Sequence, residues 1–525
     1  MRAVRSPQTT PPPAFHWLLV KGSDEHPSST VTLPYPEATV NTRVLANVIG
    51  RGWNAVGYLL TVPFYLRYLG LDAFGVMSLY VTLVSLSNVL DLGLSSTVNR
   101  ELARRGADAS ARSGASLVRT LEVLYGAFGI VAGVVSFAIA DAISRSWHTD
   151  APSLRGHLVV ASVLIALNVV AQWPVSFYSG AFSGQGRQLE LNATLVVAAT
   201  VQAVGGILAL ALGPDKLELF LAVQLVVGVF RVAALRTLLW TRLPGPRHFD
   251  WGGITPILRF AGQMGFLGIL GIVLTQADKL IVGAQVGVRQ FSYYGLAATV
   301  AGGLSYLSLP VYDVALPMLT ATRERAPATL EQAYWKVSRT FVIAVVPLGL
   351  GLVLLSGPVL TAWTGKSFGS QPALLLSLLA SGTVLNGIFY GPYALLVASA
   401  KVSGLVKMNI VFTALYVPGI ALLVHLYGSD GAAAMWLGLN ACYVLIGAPL
   451  LLRRTMPGHT TRWLVRYGAA PALAAAAAAG AVRWAAPTPS GRVEDALLAV
   501  VGMALALLAT LWVMPRSKRL VGSSG

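Results

Sequence analysis

Charge is scarce in this 525-residue chain: Asp, Glu, Lys and Arg make up only 11% of it, against about 25% in a soluble globular protein. A single cysteine, Cys442, excludes a disulfide framework and a thiolate metal centre. The seven histidines are scattered, with no pair at ligand spacing. No GxxxxGK[ST] run offers an ATP site, and no GxSxG run offers a nucleophile elbow. LGLGLV (348–353) has two glycines of a dinucleotide fingerprint but neither the third nor a preceding strand. These absences argue against an enzyme and imply no cofactor. An H⁺ or Na⁺ gradient is the remaining power source for any work the chain does.

What the chain has is hydrophobic sequence, 55% of all residues. Runs of about 20 apolar residues, the length that crosses a bilayer, recur almost end to end. Fourteen are read at 45–66, 74–97, 117–140, 157–179, 191–212, 218–240, 258–286, 293–319, 340–361, 373–399, 408–427, 431–452, 463–482 and 495–514. No loop between them exceeds about 25 residues, so chemistry in a separate extramembrane domain is not expected. The fold class is all-α, a polytopic membrane protein.

The formal charge of +17 looks at first like that of a nucleic-acid binder. Its distribution points to topology instead. With the N-terminus cytoplasmic, 29 basic residues fall in inner segments, 8 in outer ones, and Lys279 lies within a span. This is the positive-inside pattern with both termini cytoplasmic, and no nucleic-acid partner is expected. The Pro-, Ser- and Thr-rich first forty residues read as a disordered cytoplasmic tail. Residues 41–245 then form an N-lobe of spans 1–6, and residues 246–455 a C-lobe of spans 7–12. Residues 456–525 supply spans 13 and 14 and a tail. DAFGVMSLY opens the second span and SYYGLAATV the eighth, a faint internal echo. Six spans in each half would relate the lobes by an axis along the membrane normal, as in parallel-repeat transporters.

Two segments carry a family likeness. VPFYLRYLGLDAFGVMSLY (62–80) reads as a helix exit, a turn at Leu69-Gly70, and an Asp72 placed to cap the next helix. DLGLSSTVNRELARR (91–105) brings a helix into an Arg-rich loop. With YYGLA (293–297) on this topology, they resemble the polysaccharide transporters that flip lipid-linked oligosaccharides. These are the Wzx-like O-antigen flippases, whose superfamily includes multidrug exporters and the peptidoglycan-precursor flippase. Pro63, Arg67, Gly70, Phe74, Gly75, Asp91, Gly93 and Arg100 match the pattern. The resemblance implies two six-helix lobes around a central cavity and transport by alternating access in a bacterial cytoplasmic (inner) membrane. It implies an undecaprenyl-diphosphate-linked glycan as substrate, with polysaccharide polymerase and export machinery as neighbours. A multidrug antiporter of the same superfamily and a membrane polysaccharide polymerase are the alternatives.

Moving a diphosphate-linked sugar through a bilayer calls for embedded cations, each costly without a partner or a purpose. In LTQADKLIVG (274–283) Lys279 is such a cation, an interfacial snorkel being its bland alternative. Neighbouring residues diverge by about 100° on a helix, so Asp278 needs another partner or is a coupling-ion group. Arg51 and Arg100 are further diphosphate candidates. Asp313, between Pro310 and Pro317 on an expected broken helix, joins Glu122 and Asp91 as a coupling or cavity candidate; Arg119 could also simply neutralise Glu122. Trp53, Tyr58, Trp173, Tyr178, Tyr294, Tyr306, Tyr312, Tyr390 and Tyr393 could stack on sugars, although an interfacial aromatic belt explains most of them, near span ends, without a substrate; Trp53 and Tyr306 are the ones singled out. Glycines 262, 265, 268 and 271 suggest a hinge in the seventh span.

Overall fold

A computed structural model describes residues 37–89, 93–106, 112–147, 152–213, 216–243, 249, 255–365, 371–399, 403–486 and 491–515. The chain divides into two units, Met1–Val44 and Leu45–Gly525. In the first, the described backbone is helical. The second holds the transmembrane body.

Among the described residues every element is helical. The first half comprises α1 (Glu37–Val89), α2 (Leu94–Gly106), α3 (Arg112–Ser146), α4 (Pro152–Gln172), α5 (Pro174–Gly184), α6 (Gln188–Leu212) and α7 (Lys216–Trp240). The middle of the chain forms α8 (Thr255–Gln285), α9 (Val288–Gly303), α10 (Ser305–Arg325), α11 (Leu330–Leu354), α12 (Ser356–Thr364) and α13 (Gln371–Ala398). The remainder forms α14 (Ser403–Tyr427), α15 (Ser429–Cys442), α16 (Ala448–Thr455), α17 (Thr460–Trp463), α18 (Ala470–Ala485) and α19 (Arg492–Val513). Eleven helical segments among the described residues are long and apolar enough to cross a membrane. One of them, Val56–Ser87 within α1, takes in parts of the first two expected spans, and the helix bends between them at Gly70. There φ is 75°, which only glycine adopts without strain. Helix α8 and the α9–α10 pair occupy the seventh and eighth.

Two expectations about local structure change. Asp72 does not cap a new helix: its Oδ1 has no hydrogen bond and lies 3.5 Å from Arg289 Nε. The break in the eighth span falls at Leu304, ahead of Pro310, and α10 runs on through both prolines. At the break the chain tightens into i→i−3 bonds, Leu304 to Ala301 and Leu307 to Leu304.

The bundle buries two hydrophobic cores. The larger runs from Val62 on α1 through Val282 and Phe291 to Ala506 on α19, joining early and late spans. The smaller is confined to the first half of the chain, from Leu94 to Trp240. The early and late spans meet around the Gly70 bend. Ser292 Oγ donates to the Leu71 carbonyl at 2.7 Å, and Trp147 Nε1 to the Gly283 carbonyl at 2.8 Å. The two echo segments pack on one another here. A Cβ at Gly75 would meet Ser292 Oγ at 2.6 Å, and one at Gly295 would meet Ser78 Oγ at 2.6 Å. Both glycines are needed because the helices approach closer than any side chain permits.

Candidate functional site

Helix α8 positions the charged pair. Asp278 is only 6% exposed and turns toward α9, where the Tyr294 hydroxyl donates to its Oδ2 at 2.6 Å. Tyr294 belongs to the YYGLA motif, so the family-like segment supplies the partner that Asp278 needs. The Tyr416 hydroxyl on α14, buried without a hydrogen bond, lies within electrostatic range of the same carboxylate. The other oxygen, Oδ1, accepts no hydrogen bond and sits 3.6 Å from Lys279 Nζ. Lys279 meets it at an angle, as i,i+1 neighbours must, and donates to the Thr275 carbonyl at 3.0 Å. About a quarter of the Lys279 side chain is exposed. A carboxylate in a phenol's grip and an ammonium held by one carbonyl and a distant oxygen leave the ammonium free to attract an anion.

One turn back along this face, Gly271 and Thr275 line a cavity of about 400 Å³ within the later spans. Its walls also carry Tyr312, Tyr390, Asn386 and Asn409. None of its described lining residues is charged. A second cavity, of about 410 Å³, lies among α1, α6 and α7, lined by Trp53, Tyr58, Tyr80, Gln172 and Gln224. Trp53 is half-exposed and its Nε1 donates to Thr200 Oγ1 at 3.0 Å.

The other sequence candidates are dispersed. Tyr306 is half-exposed on α10 and lines neither cavity. Asp313 is exposed on the same helix and interacts electrostatically with Tyr312 and Tyr390. Arg100 is exposed on α2. Glu122 braces helices: it accepts from Arg119 at 3.0 Å, Arg236 at 2.8 Å, the Tyr178 hydroxyl at 2.6 Å and Trp240 at 3.3 Å. The Arg119 pairing is the one anticipated from their spacing. The Arg51 side chain and Asp91 lie outside the described residues, as do the surroundings of glycines 262, 265 and 268, whose backbone is helical within α8.

Sequence reasoning missed Arg231. Its Nη2 donates to Gln172 Oε1 at 2.8 Å, and Gln172 Nε2 reaches the Tyr80 hydroxyl at 3.0 Å, on the wall of the second cavity. Its Nε is buried without a partner. The available signal was depth, since Arg231 lies nine residues, about 13 Å, before the end of α7. Asn386, Asn409 and Asn440 were missed as well, because a lone asparagine in an apolar run shows no partner in sequence.

Comparison with known proteins decides the family. The model of the polysaccharide biosynthesis protein family matches residues 66–371, more than half of the chain. The chain belongs to the polysaccharide biosynthesis protein family. Over 411 residues it is 24% identical to a Shigella flexneri protein named "Putative O-antigen transporter", covering 73% of this chain and 92% of that one. It is also 24% identical to the lipopolysaccharide biosynthesis protein WzxC of Escherichia coli K12 over 274 residues, covering 50% of this chain and 55% of that relative. Among solved structures, lipid II flippase MurJ in an inward closed conformation superposes with a TM-score of 0.66 at 12% identity. That match covers 89% of this chain and 98% of MurJ. The Vibrio cholerae MATE transporter VcmN superposes with a TM-score of 0.55 at 13% identity, covering 80% of this chain and 98% of that one. At these identities the structural matches establish the fold alone, a polytopic helical bundle.

Proposed function

We propose that this family member moves a polyprenyl-diphosphate-linked oligosaccharide from the cytoplasmic to the outer leaflet of a bacterial cytoplasmic membrane. The movement is by alternating access and draws on an H⁺ or Na⁺ gradient. The observation that carries the reading is Lys279, an embedded ammonium whose one ionic neighbour among the described residues is 3.6 Å away and already bonded to Tyr294. A diphosphate would complete its coordination through charge-assisted bonds. Arg51 and Arg231 are the further cations for that group, and Asp278 or Asp313 the coupling carboxylate. The contacts around Gly70 form the outer seam, which must part for release. A multidrug antiporter would need an accessible carboxylate for cationic drugs. Asp278 is instead capped by a tyrosine, the exposed Asp313 lines neither cavity, and none of the described residues lining the cavity near Thr275 is charged, which favours the flippase.

Complementation of a flippase-null strain tests this. Lys279→Ala, expressed at wild-type level, should lose at least nine-tenths of the surface glycan, and Lys279→Arg should retain most of it. Full surface glycan from Lys279→Ala would remove the ammonium from the mechanism.

A further inference from the structure

The cavity beside Lys279 is built in a way that aliphatic packing does not explain. Three asparagines face it from three helices: Asn386 on α13, Asn409 on α14 and Asn440 on α15. Amides inside a membrane bundle cost free energy unless each group is bonded, and here the bonding is incomplete. Asn386 Nδ2 donates to Asn440 Oδ1 at 2.9 Å, and Asn440 Nδ2 to the Trp436 carbonyl at 2.9 Å. The Tyr443 hydroxyl donates to Asn409 Oδ1 at 2.9 Å. That leaves Asn386 Oδ1 and Asn409 Nδ2 without partners among the described residues, one acceptor on α13 and one donor on α14.

The aromatic surface is equally arranged. Tyr390 stacks on Phe341 at 5.7 Å and stands 5.8 Å from the Tyr312 ring, which fixes its orientation. Directly after Asn440 and Cys442 the helix widens into a π-turn, Tyr443–Gly447, a distortion that recurs at functional sites. It sets Tyr443 against Phe389 at 5.1 Å while its hydroxyl holds Asn409.

We infer that this cavity is a binding site for a neutral sugar ring of the transported glycan. Free amide groups pair with neighbouring hydroxyls, and the tyrosine faces receive the ring's C–H groups. The volume of about 400 Å³ falls in the range of small-ligand sites, about 300–1,000 Å³. Thr275 lines the cavity, and Lys279 donates to its carbonyl, so a diphosphate on the ammonium would bring the attached sugar close to the cavity. The inference rests on the flippase reading and deepens it by assigning where head-group specificity is read.

The test uses the purified full-length protein in detergent and five probes. These are the methyl glycosides of glucose, galactose, mannose, rhamnose and N-acetylglucosamine, followed by saturation-transfer NMR. At least one should bind saturably, with affinity falling about tenfold in Asn409→Leu and in Tyr390→Leu. Should the leucine variants fail to fold, the bound glycoside should still slow maleimide labelling of Thr275→Cys in a Cys442→Ser background at least threefold. No binding by any of the five, or binding indifferent to these residues, overturns the inference. If that result accompanies normal glycan export by the wild type, the flippase reading stands. If tetraphenylphosphonium binds at this cavity and no glycoside does, both fail.

Discussion

Replacing Tyr294 with phenylalanine removes one oxygen and isolates the interaction on which the α8 site depends. The 2.6 Å bond from its hydroxyl to Asp278 is charge-assisted and buried, a class worth about 1.5–3 kcal/mol. The bond also satisfies one of only two carboxylate oxygens, the other already lacking a hydrogen bond. Tyr294→Phe should therefore lower stability by about 2 kcal/mol, measured by reversible unfolding in mixed micelles. The discriminating quantity is the coupling in a double-mutant cycle with Asp278→Leu. In that background there is no carboxylate to strand, and the cost of Tyr294→Phe should fall to a few tenths of a kcal/mol. The coupling should thus exceed 1 kcal/mol, beyond the roughly 0.3–0.5 kcal/mol scatter of independent sites. Strict additivity would refute the assignment of Tyr294 as the partner of Asp278.

Enlarging the seam glycines should jam it. Gly75→Val puts atoms onto Ser292 and Val288, and should raise the labelling of a Ser292→Cys variant by an impermeant thiol reagent while cutting glycan export at least tenfold. Glu122→Gln leaves Arg119 and Arg236 without their shared counter-charge. Both arginines keep water, so the cost should be about 1–2 kcal/mol, below the 3–5 kcal/mol of a fully buried pair, with export per folded molecule unchanged. Arg231→Met keeps the stem but loses the bond to Gln172. If Arg231 serves the diphosphate, export should drop at least tenfold while thermal stability moves little.

The spans were legible because hydropathy and the positive-inside pattern are properties of the chain taken in order. The Gly70 bend was legible for a similar reason: a glycine between two apolar runs, followed by Leu71 and Asp72, is a local signal. Asp72 itself was misread, because its neighbour Arg289 lies 217 residues away and local capping rules cannot see it. The charge pair at 278–279 announced itself by cost, but its partner Tyr294 is set by how α9 folds back on α8. Arg231 escaped because its partner Gln172 lies on another helix, 59 residues away in sequence, and the depth of a lone cation does not reveal what it meets. The asparagine cluster escaped because each member sits alone in its own span and acquires meaning only when α13, α14 and α15 come together.

The most direct test is translocation in proteoliposomes that hold the purified protein and a fluorescent undecaprenyl-diphosphate-linked oligosaccharide, with leaflet exposure read by a membrane-impermeant glycosidase. Wild-type protein should expose the inner-leaflet pool once an ion gradient is imposed, and Lys279→Ala in the same liposomes should leave it protected. Equal exposure with and without protein, or with Lys279→Ala and wild type alike, would contradict the account.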